Sequence, residues 1–129
     1  MELNDLTYLI RGAIFRVHSK LGPGLFESVY KAALMHELLL LDLDAKSEVI
    51  LPVFYDNIKL ELGFRIDVTV NEVVIIELKS VTELLDVHKK QMTNYLKLSG
   101  MKIGFLVNFN VSSLVEKQSL VRIINSSLK

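Results

Sequence analysis

Apolar residues at the start of the chain, Leu6, Ile10, Ala13, Ile14, Val17 and Leu21, recur at helical spacing. Asn4 or Asp5 therefore caps a first helix that runs to about residue 20, where Gly22-Pro23-Gly24 ends it. A second helix follows over about residues 25–41, and residues 42–46 form a polar break. Beyond the break the period drops to two. Residues 48–55 alternate as a strand that ends at Asp56-Asn57, and a return strand begins near Ile58. Gly63 lies inside that return strand as a bulge or bend. Pro52 lacks an N–H for a ladder and puts its own strand at a sheet edge.

Two further runs rich in β-branched residues, Phe64–Val70 and residues 73–78, read as strands joined by a short Asn71-Glu72 turn. Ser80 to Thr82 then offers a cap for a helix over residues 83–99, closed by Gly100. On that helix Leu85, Met92, Leu96 and Ser99 make one stripe. Leu84, His88, Gln91 and Tyr95 make a second, oddly polar one, with the last three pointing together toward whatever the helix covers. Residues 103–107 suit a buried strand that pairs parallel to an earlier one after the helical crossover, and Leu120–Ile124 suit a last strand. Helix, helix, three strands, helix, strand is the order of an α/β sandwich. At 129 residues the expectation is a single domain over 1–129.

Composition narrows the function classes. Half of the residues are hydrophobic, which argues against disorder. Lys plus Arg equal Asp plus Glu at 15 each, so no global positive field draws in nucleic acid, and any such contact comes from a local patch. With no cysteine, disulfides and thiolate metal sites are excluded. No apolar run reaches ~18 residues, and the first residues are acidic rather than basic; a soluble cytoplasmic protein without a membrane partner is expected.

Three ionisable side chains interrupt the apolar strand pair: Asp67 on the first strand, Glu77 and Lys79 on the second. Side chains alternate across a strand, so Glu77 and Lys79 share one face while Ile76 and Leu78 share the other. Charge in a strand built for burial is costly unless it is partnered, solvated or metal-bound. The plain alternative is an edge strand whose charged face meets water. What separates the two is register. Residues that face each other in an antiparallel pair sum to a constant. A two-residue turn gives 143, and Asp67 then faces Ile76, away from Glu77. A three-residue loop gives 144 and sets Asp67 opposite Glu77; a single bulge has the same effect. A shared site therefore requires a three- or five-residue loop, or one bulge between the two carboxylates.

Asp67, the Glu77-Leu78-Lys79 run and the later helix carrying Gln91 and Tyr95 resemble the PD-(D/E)XK nuclease superfamily. Gln91-Met92-Thr93-Asn94-Tyr95 has the order and spacing of the Gln-x-x-x-Tyr helix that borders the active site of RecB-like members. Gly24, Glu27 and Tyr30 are spaced as in the GxxExxY signature, a branch of that superfamily. The resemblance implies a PD-(D/E)XK nuclease-like three-layer sandwich, a mixed central sheet flanked by helices. It also implies Mg²⁺ or Mn²⁺ held by Asp67, Glu77 and the Leu78 carbonyl, with Glu27 as an added ligand or water-holder. Lys79 is implied as the catalytic lysine, with Gln91 and Tyr95 bordering the site, and DNA or RNA as the substrate. Residue by residue, Glu27 also reads as a first-turn acid that complements a helix N-terminus, and His18, near a helix C-terminus, reads as structural. One departure is Ile66, where the superfamily name implies proline before Asp67. Two functions compete: a metal-dependent phosphodiesterase, and a non-catalytic module for nucleic acid or protein that keeps the nuclease scaffold. The full set of ligand and lysine positions argues for the first, since a decayed site would be expected to lose one.

Overall fold

The computed structural model describes residues 1–128. Helices α1 (Leu3–Leu21) and α2 (Glu27–Leu40) precede strands β1 (Ala45–Leu51), β2 (Phe54–Tyr55), β3 (Ile58–Lys59), β4 (Phe64–Val70) and β5 (Val74–Lys79). Helix α3 (Asp86–Ser99) and strands β6 (Ile103–Asn108) and β7 (Leu120–Ile124) complete the chain. Five strands form one sheet in the order β1-β4-β5-β6-β7, while β2 and β3 form a separate small hairpin. Within the five-stranded sheet only β5 and β6 run parallel, because α3 returns the chain from the end of β5 to the start of β6. Pro52 directly follows the edge strand β1, where its missing donor leaves no ladder bond unmade.

Helices cover both faces of this mixed sheet. Ile10, Ile14, Tyr30 and Leu34 of α1 and α2 pack with Val68, Ile76 and Phe105 on one side. On the other side Met92, Tyr95 and Leu96 of α3 pack with Ile66 and Ile75. The result is an α/β sandwich, as the element order predicts, in the three layers that the resemblance implies. Gly104 decides how low α3 can sit. A Cβ at this position would lie 2.2 Å from Met92 Sδ, so only glycine admits the methionine against the strand.

Several boundaries differ from the sequence reading, each for a local reason. Helix α1 starts at Leu3 with Glu2 at its N-cap, so neither Asn4 nor Asp5 is the cap. Helix α2 starts at Glu27, because Leu25 is held outside it by bonds to Tyr30 and Ser80. Helix α3 starts at Asp86, where the Leu85 N–H donates to His88 Nδ1 at 3.0 Å. Leu85 is thereby at the helix entrance and exposed, and does not extend the buried stripe of Met92 and Leu96. The expected strand over 48–55 is divided at Pro52 into β1 and β2. The expected return strand is likewise divided, into β3 and β4, so Gly63 lies just before β4 rather than as a bulge within a strand; a Cβ there would meet the Leu51 carbonyl at 2.6 Å.

Gly104→Val is expected to lift α3 from the sheet and cost about 1–3 kcal/mol, in the range for overpacking. Met92→Ala in the same chain should recover part of that loss, read as non-additive shifts in urea midpoint.

Candidate active site

The register is set at the β4–β5 hairpin. Val70 pairs with Val74, Thr69 with Ile75 and Val68 with Ile76, a constant sum of 144 that leaves Asn71, Glu72 and Val73 as a three-residue loop. Asn71 and Glu72 both have positive φ, and Val73 N–H closes the turn on the Val70 carbonyl at 3.0 Å. Asparagine tolerates that conformation better than most residues. It is fastened there, with Asn71 Oδ1 accepting from Asp44 N–H at 2.8 Å. Asp67 and Glu77 consequently stand opposite each other.

At Asp67 the sheet itself is irregular. The β1–β4 pairing omits Glu48 and Asp67, and Glu48 has φ 54°. Val68 packs toward α1 and α2, whereas Ile66 packs toward α3. Both neighbours of Asp67 are thus buried, on opposite faces, which strict alternation forbids. Side chains complete the ladder where backbone pairing stops. Leu78 N–H donates to Asp67 Oδ2 at 2.9 Å, and Asp67 N–H donates to Glu77 Oε2 at 3.2 Å. Each carboxylate commits one oxygen to a backbone donor.

Glu77 is only 4% exposed. Burial first, then hydrogen bonding to Asp67 and repulsion by its charge, push the Glu77 carboxyl up to about 9, against the Asp67 N–H and the Lys79 ammonium, which pull it down. A carboxyl in this position is stable when it holds a proton or faces a cation. The donor set is all oxygen, which fits a hard divalent ion. Leu78 adds to it. Its N–H points toward β4, and in an extended strand a residue's carbonyl lies on the same edge.

Lys79 ends β5, half-buried, and alternation puts it on the α3 side with Glu77 and Ile75. Its carbonyl accepts from Phe109 N–H at 2.9 Å. Glu27 comes from the opposite layer, at the first turn of α2, and its Oε2 accepts from Ser80 N–H at 3.0 Å. It reaches the end of β5 but does not join the two carboxylates. Among the described residues no three His, Asp or Glu side chains converge to hold a metal, so an ion beside Asp67 and Glu77 would complete its shell with a backbone carbonyl and water.

Tyr95 is buried under α3, tilted against Phe64 with ring centroids 5.4 Å apart. Desolvation and then the charges of Glu77 and Asp67 raise its pKa, so the phenol shares their electrostatic environment. Gln91, one turn earlier, is exposed and makes no hydrogen bond to the site among the described residues. His88 is taken up by its bond at the start of α3. His18 is structural, its Nε2–H donating to the Val111 carbonyl at 2.7 Å.

Three residues support the site in ways the sequence reading does not give them: Ser80 and Tyr30 have other roles there, and Asn108 has none. Ser80 ties both Glu27 and, through its Oγ, the Leu25 carbonyl at 2.7 Å to the end of β5. Tyr30 donates to the Gly22 carbonyl at 2.6 Å and stacks on Phe109 at 4.5 Å, which fixes the loop before Glu27. Asn108, paired with Lys79 across the parallel strands, bonds both the N–H and the carbonyl of Val81. A polar residue closing an apolar run, as in Ile103–Asn108, was the available signal for the last of these.

Comparison with curated proteins and with solved structures returns no match. A family model described as the PD-(D/E)XK nuclease superfamily matches residues 4–123, a span that runs from α1 to β7 and contains every residue of the site. By that match, over a mixed sheet that brings Asp67, Glu77 and Lys79 to one place, the chain belongs to the PD-(D/E)XK nuclease superfamily.

Proposed function

We propose that this protein is a metal-dependent nuclease that hydrolyses phosphodiester bonds in DNA or RNA. One observation carries the reading: two carboxylates share a break in the sheet, and the buried one, Glu77, is held in a state that a proton or a cation must neutralise. Asp67, Glu77 and the Leu78 carbonyl are the proposed ligands, and Mg²⁺ or Mn²⁺ the proposed ion. When bound, such an ion supplies positive charge that activates water and offsets charge developing on the phosphate.

The chain's own residues supply the rest. Lys79, two residues beyond Glu77 on the same face, presents its ammonium to the phosphate and stabilises the charge that builds there. Glu27, anchored by Ser80 N–H, holds water at the end of β5 rather than the ion itself. Tyr95 closes the α3 side of the site and excludes water from Glu77, and Gln91 at the rim is free to meet substrate. The spacing of Gly24, Glu27 and Tyr30 supports placement in the GxxExxY branch. Each of the three also acts locally in this chain, since Gly24 turns the loop with φ 93°, Glu27 meets Ser80 and Tyr30 clamps the loop.

Mn²⁺ or Mg²⁺ should stabilise the folded protein, which alone binds it, by about 2.7 kcal/mol at a hundred times Kd; the melting temperature should rise accordingly, and EDTA should reverse it. Asp67→Asn and Glu77→Gln should abolish the shift. Lys79→Met should keep it while slowing cleavage of labelled nucleic acid by about 10²- to 10³-fold. A calorimetric titration with no divalent binding at millimolar concentration would rule the proposal out.

The raised Glu77 pKa sets a pH dependence. Between its ordinary 4.5 and about 9 the folded protein keeps a proton that the unfolded chain has lost. Stability of the metal-free protein should therefore fall as pH rises through that window and level off above it. Glu77→Gln should flatten the slope in thermal melts. Metal affinity should rise over the same window, because the ion displaces the proton.

A further inference from the structure

Exposed aromatic rings flank the end of the sheet that bears the site. Phe26 is the clearest case. It stands at the N-cap of α2 with 82% of its surface exposed, between Leu25 and Glu27, both of which are bonded to Ser80 next to Lys79. An aromatic ring is thus held in solvent at the end of β5, on the face of the sheet opposite to Lys79.

A second group comes from the other side. Leu51 and Phe64 are the last pair of β1 and β4, and the β2–β3 hairpin leaves the sheet between them. Because β4 and β5 are antiparallel, the start of β4 and the end of β5 lie at the same end of the sheet. The hairpin therefore projects from the end that bears Lys79 and Ser80. Phe54 and Tyr55 lie on opposite faces of it, 60% and 68% exposed, and Phe64 at its base packs on Tyr95.

We propose that these rings make the site selective for unpaired strands: bases of single-stranded DNA or RNA stack on Phe26 on one side and on Phe54 and Tyr55 on the other. Every base has a π-face, so aromatic side chains hold unpaired bases without reading sequence. A duplex keeps its bases stacked inside and offers mainly phosphates, whose binding depends on a concentration of Lys and Arg. This chain has a formal net charge of zero. The proposal rests on the nuclease reading for the position of the cleaved phosphate, but strand binding can be measured apart from cleavage.

The test is fluorescence anisotropy with labelled 12-residue unpaired DNA, unpaired RNA and a blunt DNA duplex of the same sequence, in EDTA and in Ca²⁺. At least one unpaired strand should bind roughly tenfold or more tightly than the duplex. Phe26→Leu, which keeps the apolar bulk, and the double variant Phe54→Ala with Tyr55→Ala should each weaken that binding by roughly 5- to 100-fold and leave duplex binding unchanged. Phe26→Trp should restore it. Strand binding with this pattern supports the proposal even if Mn²⁺ yields no cleavage, an outcome that would count against the nuclease reading alone. Equal binding of duplex and unpaired strands, or wild-type binding by both variants, overturns it. So does sedimentation showing a dimer that Tyr55→Lys dissociates, with no strand binding, since the rings would then be a contact between copies of the chain.

Discussion

The structure turns on the exchange of hydrogen bonds between two carboxylates and two backbone amides. Where β4 and β5 stop pairing through their backbones, Asp67 accepts from Leu78 N–H and Glu77 accepts from Asp67 N–H. Backbone donors inside a sheet must be satisfied. Here the two acids satisfy them, so they act as part of the ladder. The same geometry is costly in charge. It holds two acids together under α3, and the site is stable only while one of them is neutralised.

The layers serve that arrangement. Helix α3 can lie close over Glu77 because Gly104 leaves room for Met92, and the closeness is what desolvates Glu77 and Tyr95. On the opposite side Tyr30, Phe109 and Ser80 tie the α1–α2 loop to the end of β5 and bring Glu27 to it. The two layers reach the end of β5 from opposite faces of the sheet. That is why Glu27 meets the strand end through a backbone amide and not the acid pair itself.

Much of the architecture was legible along the chain. Helical spacing in the first residues, β-branched runs from Phe64 onward and a helix between two apolar strands define a sandwich with one parallel step, and the structure has it. Parity was equally local: Asp67 and Glu77 can meet only if their pairing sums to 144, and it does. Helix starts were less legible. Leu25 and Leu85 are kept out of α2 and α3 by bonds to Tyr30, Ser80 and His88, and side-chain bonds of this kind leave little trace in hydrophobic periodicity.

Which residue types could make a site, and on which strands they lie, can be read from the order of amino acids, because period and parity are properties of the backbone. So can the absence of a general positive field. Which candidates meet depends on the packing of the folded chain. That packing buried Glu77 and Tyr95 together and left Gln91 in solvent one helical turn away. It bound Glu27 to Ser80, 53 residues on. It also swapped the faces of Ile66 and Val68 around Asp67 through an irregularity shared with Glu48 on the neighbouring strand. The physical reason is common to all of these. Burial and hydrogen bonding depend on which distant segments pack against a residue, and local pattern carries no record of that.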